Sequence, residues 1–197
     1  LQVKDREAAR AWLARVPGSS AITAETPPDT ALQLALSRDG LQALGVAGDE
    51  QADLVVHGGL AKAVYAYPAE HYAFWRTVRA QAGVALWDAA LEPGSLGENL
   101  TLAGVTEDHV WVGDVLRFPH CALAVSEPRQ PCFKFNAAMG FAQAAKLMVQ
   151  SAWCGFYLAA REPGSIEAGE SFVVEPGPRE VRIDELFRAT TSPRRSA

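Results

Sequence analysis

Apolar and polar positions alternate with a period of two at Leu32, Leu34 and Leu36, with Gln33 and Ala35 between them, which predicts a short strand. Leu54-Val55-Val56 and Ala63-Val64-Tyr65-Ala66-Tyr67 read as further strands on either side of His57-Gly58-Gly59. Pro68 then opens a helix, at the position where its missing N–H matters least; this helix carries Tyr72, Phe74, Trp75 and Val78 and stops near Gly83. Strands follow over 100–102, 110–112, 115–118 and 121–126, punctuated by Gly104, Gly113 and Pro119. Helical spacing returns at Phe141, Ala144, Ala145 and Met148, which predicts one helix over 137–152, and strands over 155–160 and 171–175 complete the set.

At the start of the chain, Asp5 caps a predicted helix over 5–16, with Ala9, Trp12, Leu13 and Val16 on one side. Pro17-Gly18-Ser19-Ser20 ends it, and Thr26-Pro27-Pro28-Asp29 is a turn-rich linker. Beyond Pro176-Gly177-Pro178 one element is predicted over 181–188, and a polar tail from Thr190. Many short strands with two or three helices between them predict a mainly β fold, a closed or nearly closed barrel with peripheral helices. The expected division is a barrel domain over 1–178, whose first 30 residues are a divergent helix and linker, and a short tail over 179–197.

Composition narrows the classes of function. The chain has 197 residues, enough for one domain with a sizeable core. A net charge of −5 gives no bulk attraction to nucleic acid or to an anionic membrane. No apolar run approaches the ~20 residues needed to span a bilayer, and the first residues do not read as a secretory signal. Three cysteines, Cys121, Cys132 and Cys154, cannot form a closed disulfide set, which points to a reducing, cytoplasmic setting.

The richest stretch for chemistry is Ser126-Glu127-Pro128-Arg129-Gln130-Pro131-Cys132-Phe133-Lys134. Two prolines restrict the backbone on the approach to Cys132, and Arg129 and Lys134 supply positive charge that favours a thiolate. A thiolate serves as nucleophile or as ligand to a soft metal centre; the alternative is a small buried hydrophobe, the commonest state of a free cysteine. Cys121 and Cys154 lie among apolar residues and read as core. His57, set before two glycines, can face a ligand, and Lys62 can meet an anion, although a tight turn with a backbone-bonded histidine accounts for His57 equally well. Gly94-Ser95-Leu96-Gly97-Glu98-Asn99-Leu100 offers backbone N–H groups to an anion, with Asn99 as a polar contact, but lacks the lysine and helix of a P-loop. His71 reads as a helix-face residue, and His109 and His120 sit at turns.

Gly48-Asp49-Glu50-Gln51-Ala52-Asp53-Leu54, His57-Gly58-Gly59, Lys62-Ala63-Val64-Tyr65-Ala66-Tyr67-Pro68, Gly97-Glu98-Asn99-Leu100 and Pro128-Arg129-Gln130-Pro131-Cys132-Phe133-Lys134 occur in the order of the MOSC family, which the chain resembles over about residues 45–175. The family takes its name from the C-terminal domain of molybdenum cofactor sulfurase. The resemblance, closest to a small standalone bacterial branch, implies a β-barrel and a pyranopterin-bound molybdenum cofactor with Cys132 as the protein ligand to the metal. It implies reduction of N-hydroxylated compounds with electrons from a separate flavin or iron–sulfur protein. Arg129, His57, Asn99 and Lys62 become the candidate cofactor contacts. The chain departs from the family's pattern at Ala21-Ile22-Thr23-Ala24, where a Gly-Ile-Phe-Lys-type segment is usual, and at Ala61, where an acidic residue is usual. The usual helical appendage shrinks to a remnant within 179–197. Two other readings remain open: a non-catalytic carrier of sulfur or cofactor on Cys132, and a cysteine hydrolase using Cys132 with His57.

Overall fold

The computed structural model describes the backbone of three strands, β1 (Leu13–Arg15), β2 (Ala31–Leu36) and β3 (Ala43–Val46), and residues 62–192 in full. The predicted strand at 54–56 and the His57-Gly58-Gly59 turn lie outside the described residues. Seven further strands follow: β4 (Val64–Pro68), β5 (Leu100–Ala103), β6 (Val115–Arg117), β7 (Ala122–Pro128), β8 (Phe156–Glu162), β9 (Ser165–Glu167) and β10 (Val173–Glu175). The helices are α1 (Tyr72–Gln81), α2 (Phe133–Met139), α3 (Ala144–Ser151) and α4 (Ile183–Thr191). One sheet runs β1-β5-β4-β8-β7-β6-β10 and a second runs β3-β2-β9. The fold is mainly β, as the spacing predicts, and its large sheet is curled. Among the described pairings the two sheets do not join into one closed ring. No helix among the described residues is long and apolar enough to cross a membrane.

Four sequence expectations change. Leu13–Arg15, expected within a helix over 5–16, is a strand paired in parallel with Thr101–Ala103. The unpaired edge of β5 offers backbone groups that outweigh local helical spacing. The single helix expected over 137–152 starts earlier, at Phe133, and is two helices. Gly140 breaks it in the left-handed region at φ 82°, and a Cβ there would stand 2.5 Å from the Val84 side chain. The strand expected over 110–112 reduces to a single bridge between Trp111 and Arg182, because the buried Asp114 carboxylate accepts the Trp111 N–H and turns the chain. The α-helices among the described residues number four, and α4 continues through Thr191 with Ile183 and Phe187 buried in the core.

The core is continuous from β4, β5, β7 and β8 to α1, α2 and α4, with Trp75, Tyr67, Phe135, Phe156 and Phe187 among its largest buried side chains. β4 is buried at all five positions, so it sits in the middle of the sheet with packing on both faces. Where it meets β8, Gly155 holds φ +66°, and a Cβ there would lie 2.4 Å from the Ala66 carbonyl oxygen and within 3 Å of the Tyr65 and Tyr67 rings.

The Gly94–Leu100 loop is organised around its own acid. Glu98 is fully buried and accepts hydrogen bonds from the backbone N–H groups of Gly94 (2.8 Å) and Leu96 (3.1 Å), from the Thr101 hydroxyl (3.0 Å) and from the Tyr72 hydroxyl. The amides expected to be available to an anion are therefore occupied. Burial pushes the Glu98 carboxyl from 4.5 up to about 7, with the loop amides and Thr101 pulling it back.

Two outcomes follow. Glu98 holds its proton more tightly folded than unfolded, so its contribution to stability is fully present below pH 4.5 and is lost as pH rises through 7, a change of about 3 kcal/mol. Urea unfolding of the wild type and Glu98→Gln from pH 4 to 8 checks this: the difference between the two must vary with pH in that window and level off above it. Gly155→Ala should destabilise the fold by about 2–4 kcal/mol, because the new methyl meets a backbone carbonyl that cannot move without shifting β4. A thermal melt indistinguishable from wild type would contradict the close approach.

Candidate functional site

Strand register sets the face on which the candidate residues meet. Tyr65 on β4 pairs with Tyr157 on β8, which pairs with Glu127 on β7, so these three form one row across the sheet. A β-bulge between Val125 and Glu127 leaves Ser126 as the extra residue, its hydroxyl donating to the Tyr157 carbonyl (3.0 Å). Such a bulge re-aims the strand beyond it. One step on, Pro128 pairs with Phe156, and the Arg129 N–H reaches the Gly155 carbonyl at 3.4 Å.

The Arg129 guanidinium then lies over two aromatic faces, Tyr65 at 4.9 Å and Phe135 at 5.2 Å, and its charge pulls the Tyr157 phenol down against the burial that raises it. Its Nη1 is buried and has no hydrogen-bond partner among the described residues. Burial opposes the Arg129 charge, but Tyr65, Tyr157, Cys132 and Glu98 outweigh it and hold its pKa above the ordinary value. Burial likewise pushes the Tyr65 phenol well above its usual range, with Arg129 opposing.

Lys62 joins the same row. Its Nζ is 3.2 Å from Glu127 and 5.5 Å from the centre of the Tyr157 ring. Asn99 reaches it from β5's side: its Oδ1 accepts the Tyr65 N–H and its N–H donates to the Tyr65 carbonyl, both at 2.8 Å. Three of the sequence-predicted contacts, Arg129, Lys62 and Asn99, therefore converge on the Tyr65–Tyr157 pair, whose rings lie 5.5 Å apart. The fourth, His57, lies outside the described residues.

Cys132 caps α2 in an extended conformation (φ −123°, ψ 172°) and is half-buried. The helix it begins carries Phe135 onto the Arg129 guanidinium, so thiol and cation are tied to one short segment. Lys134, read with Arg129 as a positive neighbour, is exposed. The other two thiols are buried, as expected of core residues; burial pushes Cys121 up to about 12 and Cys154 well above its ordinary value. His71 is not the helix-face residue the spacing suggests. It is buried, its Nε2 is 2.7 Å from Glu107, and its ring stacks on Trp153 at 4.5 Å.

Sequence reasoning missed Tyr65, Tyr157 and Phe135 as site residues because each also reads as ordinary strand or helix filling. The available signal was the aromatic content of the segments that flank the cysteine motif, which becomes informative only once the register is known.

The chain is similar in sequence and fold to known proteins. The MOSC domain family model matches residues 53–173. The YflK protein of Bacillus subtilis, itself uncharacterised, is 43% identical over 122 residues, covering 62% of this chain and 52% of that protein. The YiiM protein of Escherichia coli is 38% identical over 129 residues, covering 65% and 55%. A protein named reductase from Gibberella moniliformis is 34% identical over 140 residues, covering 70% of this chain and 24% of its own length. The chain thus spans about half the length of the bacterial relatives it matches. Among solved structures, YiiM from Geobacillus stearothermophilus superposes with a TM-score of 0.60 at 32% identity, over 67% of this chain and 64% of that one. The E. coli YiiM structure gives 0.62 at 28% identity, over 80% and 68%. The matched stretch runs from before β4 to the start of β10 and so contains Lys62, Asn99, Arg129 and Cys132 together; the chain belongs to the MOSC domain family.

Proposed function

We propose that this protein works in the cytoplasm as an oxidoreductase that holds a molybdenum cofactor at Cys132. Its substrates are N-hydroxylated compounds, and a separate flavin or iron–sulfur protein supplies the electrons. The observation that carries this reading is Arg129 Nη1, a buried donor of a charged group with no hydrogen-bond partner among the described residues, tied to the segment that presents a half-buried thiol. Leaving such a donor unpaired costs about 1–3 kcal/mol or more, and an anionic ligand removes that cost.

The residues present fit the group. A cysteine thiolate is a soft, anionic ligand suited to an oxo-metal centre. The pyranopterin carries an anionic phosphate, and Arg129 and Lys62 bring positive charge to one face of a net-acidic protein. In this reading Cys132 binds the metal, Arg129 Nη1 donates to an anionic atom of the cofactor, and Lys62 adds charge at the rim. Asn99 holds the β4 backbone from which Tyr65 supports Arg129. When bound, the cofactor supplies the redox centre at which an N-hydroxyl group takes up two electrons and two protons, leaving an amine and water.

Metal analysis of protein made in a cofactor-competent host tests the proposal. Molybdenum and pterin fluorescence should accompany the wild type and be lost from Cys132→Ala, together with reduction of an N-hydroxylated base analogue. Arg129→Gln should lower cofactor occupancy about tenfold or more while leaving the thiol in place. A wild type with no molybdenum, carrying instead a labile sulfur adduct on Cys132 in its intact mass, would overturn the redox reading in favour of a sulfur carrier.

A further inference from the structure

The reduction proposed for the Cys132 site consumes two protons, and no residue given a role there supplies one. The row of side chains across β4, β8 and β7, with Lys62 beside it, holds the acids from which a proton could come: Tyr65, Lys62, Glu127 and Tyr157. Three of them are committed elsewhere. The Tyr65 hydroxyl, on a buried residue, donates to the Cys154 carbonyl at 2.8 Å. Lys62 Nζ and Glu127 Oε1 hold each other at 3.2 Å. That leaves Tyr157, which is half-buried and whose ring lies 5.5 Å from that of Tyr65.

The surroundings of Tyr157 suit a phenol that releases its proton only during a reaction. Lys62 Nζ stands 5.5 Å from the centre of its ring, and the Arg129 guanidinium lies over the adjoining Tyr65 ring at 4.9 Å. Burial raises the Tyr157 phenol above its ordinary pKa; Arg129 and Lys62 pull it back, and Glu127 adds to the rise. The group is therefore protonated at rest, while two cations stabilise the phenolate once it forms. Arg129 also interacts with the Cys132 thiol, so phenol and thiol share one cation. The backbone beneath the ring is fixed: the Tyr157 carbonyl accepts the Ser126 hydroxyl at 3.0 Å, and the residue pairs in register with Tyr65 and Glu127.

We propose that Tyr157 is the proton donor to the leaving oxygen of an N-hydroxylated substrate held against this row. The role rests on the redox reading of Cys132. The Tyr157 O–H bond breaks as the N–O bond cleaves, and its proton joins the hydroxyl oxygen, which departs as water. The nitrogen takes two electrons, which originate in the flavin or iron–sulfur donor, and a second proton from solvent. The phenolate, stabilised by Arg129 and Lys62, regains its proton from solvent.

Tyr157→Phe removes one oxygen and keeps the ring beside Tyr65 and Lys62. In protein loaded with molybdenum it should lower kcat for an N-hydroxylated base analogue about a hundredfold, with KM and molybdenum content unchanged. A second readout needs no cofactor. Ultraviolet titration of the phenols in the full chain made without cofactor should show one ionisation that Tyr157→Phe removes. Lys62→Met should move that ionisation to higher pH, because a neighbouring cation is lost. A loaded Tyr157→Phe that turns over like wild type, a loss of molybdenum that accounts for its lower rate, or a phenol titration that ignores Lys62 overturns the role while the redox reading stands. Wild-type protein without molybdenum or turnover removes the reading and the role together.

Discussion

The candidate site and the buried His71–Glu107 pair share one dependence, the close approach of chain segments at Gly155. Its carbonyl receives the Arg129 N–H and its own N–H goes to Glu107, while the space a side chain would occupy is taken by the Ala66 carbonyl and the Tyr65 and Tyr67 rings. Without that approach Tyr65 could not lie under Arg129, and Glu107 would lose the donor that fixes it opposite His71. A single backbone position thus sets the geometry on two sides of the sheet. Flanking contacts reinforce it: the Tyr65 hydroxyl donates to the Cys154 carbonyl at 2.8 Å, and the Tyr67 hydroxyl to that of Trp153 at 3.0 Å. Residues 153–155 are therefore held from both directions by side chains of β4.

Arg129 shows what this rigidity achieves. A buried guanidinium usually finds a carboxylate, yet Glu127, the nearest acid along the strand, is engaged by Lys62. Arg129 is instead surrounded by aromatic faces and a phenol, which stabilise a cation without cancelling its charge. The division of labour pairs the lysine with Glu127 and leaves the buried Nη1 of Arg129 without a hydrogen bond among the described residues. In water the same pairings would matter little; behind Tyr65 and Phe135 the charge is poorly screened and acts at short range. A net-acidic protein can therefore present a cationic spot, because local packing rather than total charge determines what an anion meets.

Much of this was legible in the sequence, for identifiable reasons. β2, β4, β5, β7 and β8 follow from period-two spacing and short apolar runs, while Pro68 ends β4 and leads into a 3-10 turn over Ala69–His71 before α1 begins at Tyr72. Cys132 stood out because prolines and basic residues surround it, and the structure leaves it half-buried while enclosing the other two thiols. What local spacing cannot carry is pairing. The helical spacing around Leu13 yields to the free edge of β5, and Gly140 divides a run whose apolar period continues across it. Tyr157 and Lys62 are 95 positions apart and become neighbours through the register of β4, β8 and β7. His71 misled for a related reason: its aromatic surroundings were visible, but Glu107, 36 residues away, was not an evident partner.

The two buried glutamates show how connectivity sets the role of a charge. Glu98 takes its amide donors from its own loop, so the Gly94–Leu100 turn closes on itself, with Tyr72 and Thr101 completing the shell. Its protonation is then chiefly a matter of local stability. Glu107 takes its partners from the turn after β4 and from the start of β8, and its backbone carbonyl accepts the Asp184 N–H of α4 at 3.2 Å. It joins three elements that are distant in sequence. Mutating Glu98 therefore perturbs a loop, whereas mutating Glu107 also releases His71 and one of the two hydrogen bonds at Gly155. That difference follows from where the donors come from, since both carboxylates are buried to nearly the same degree.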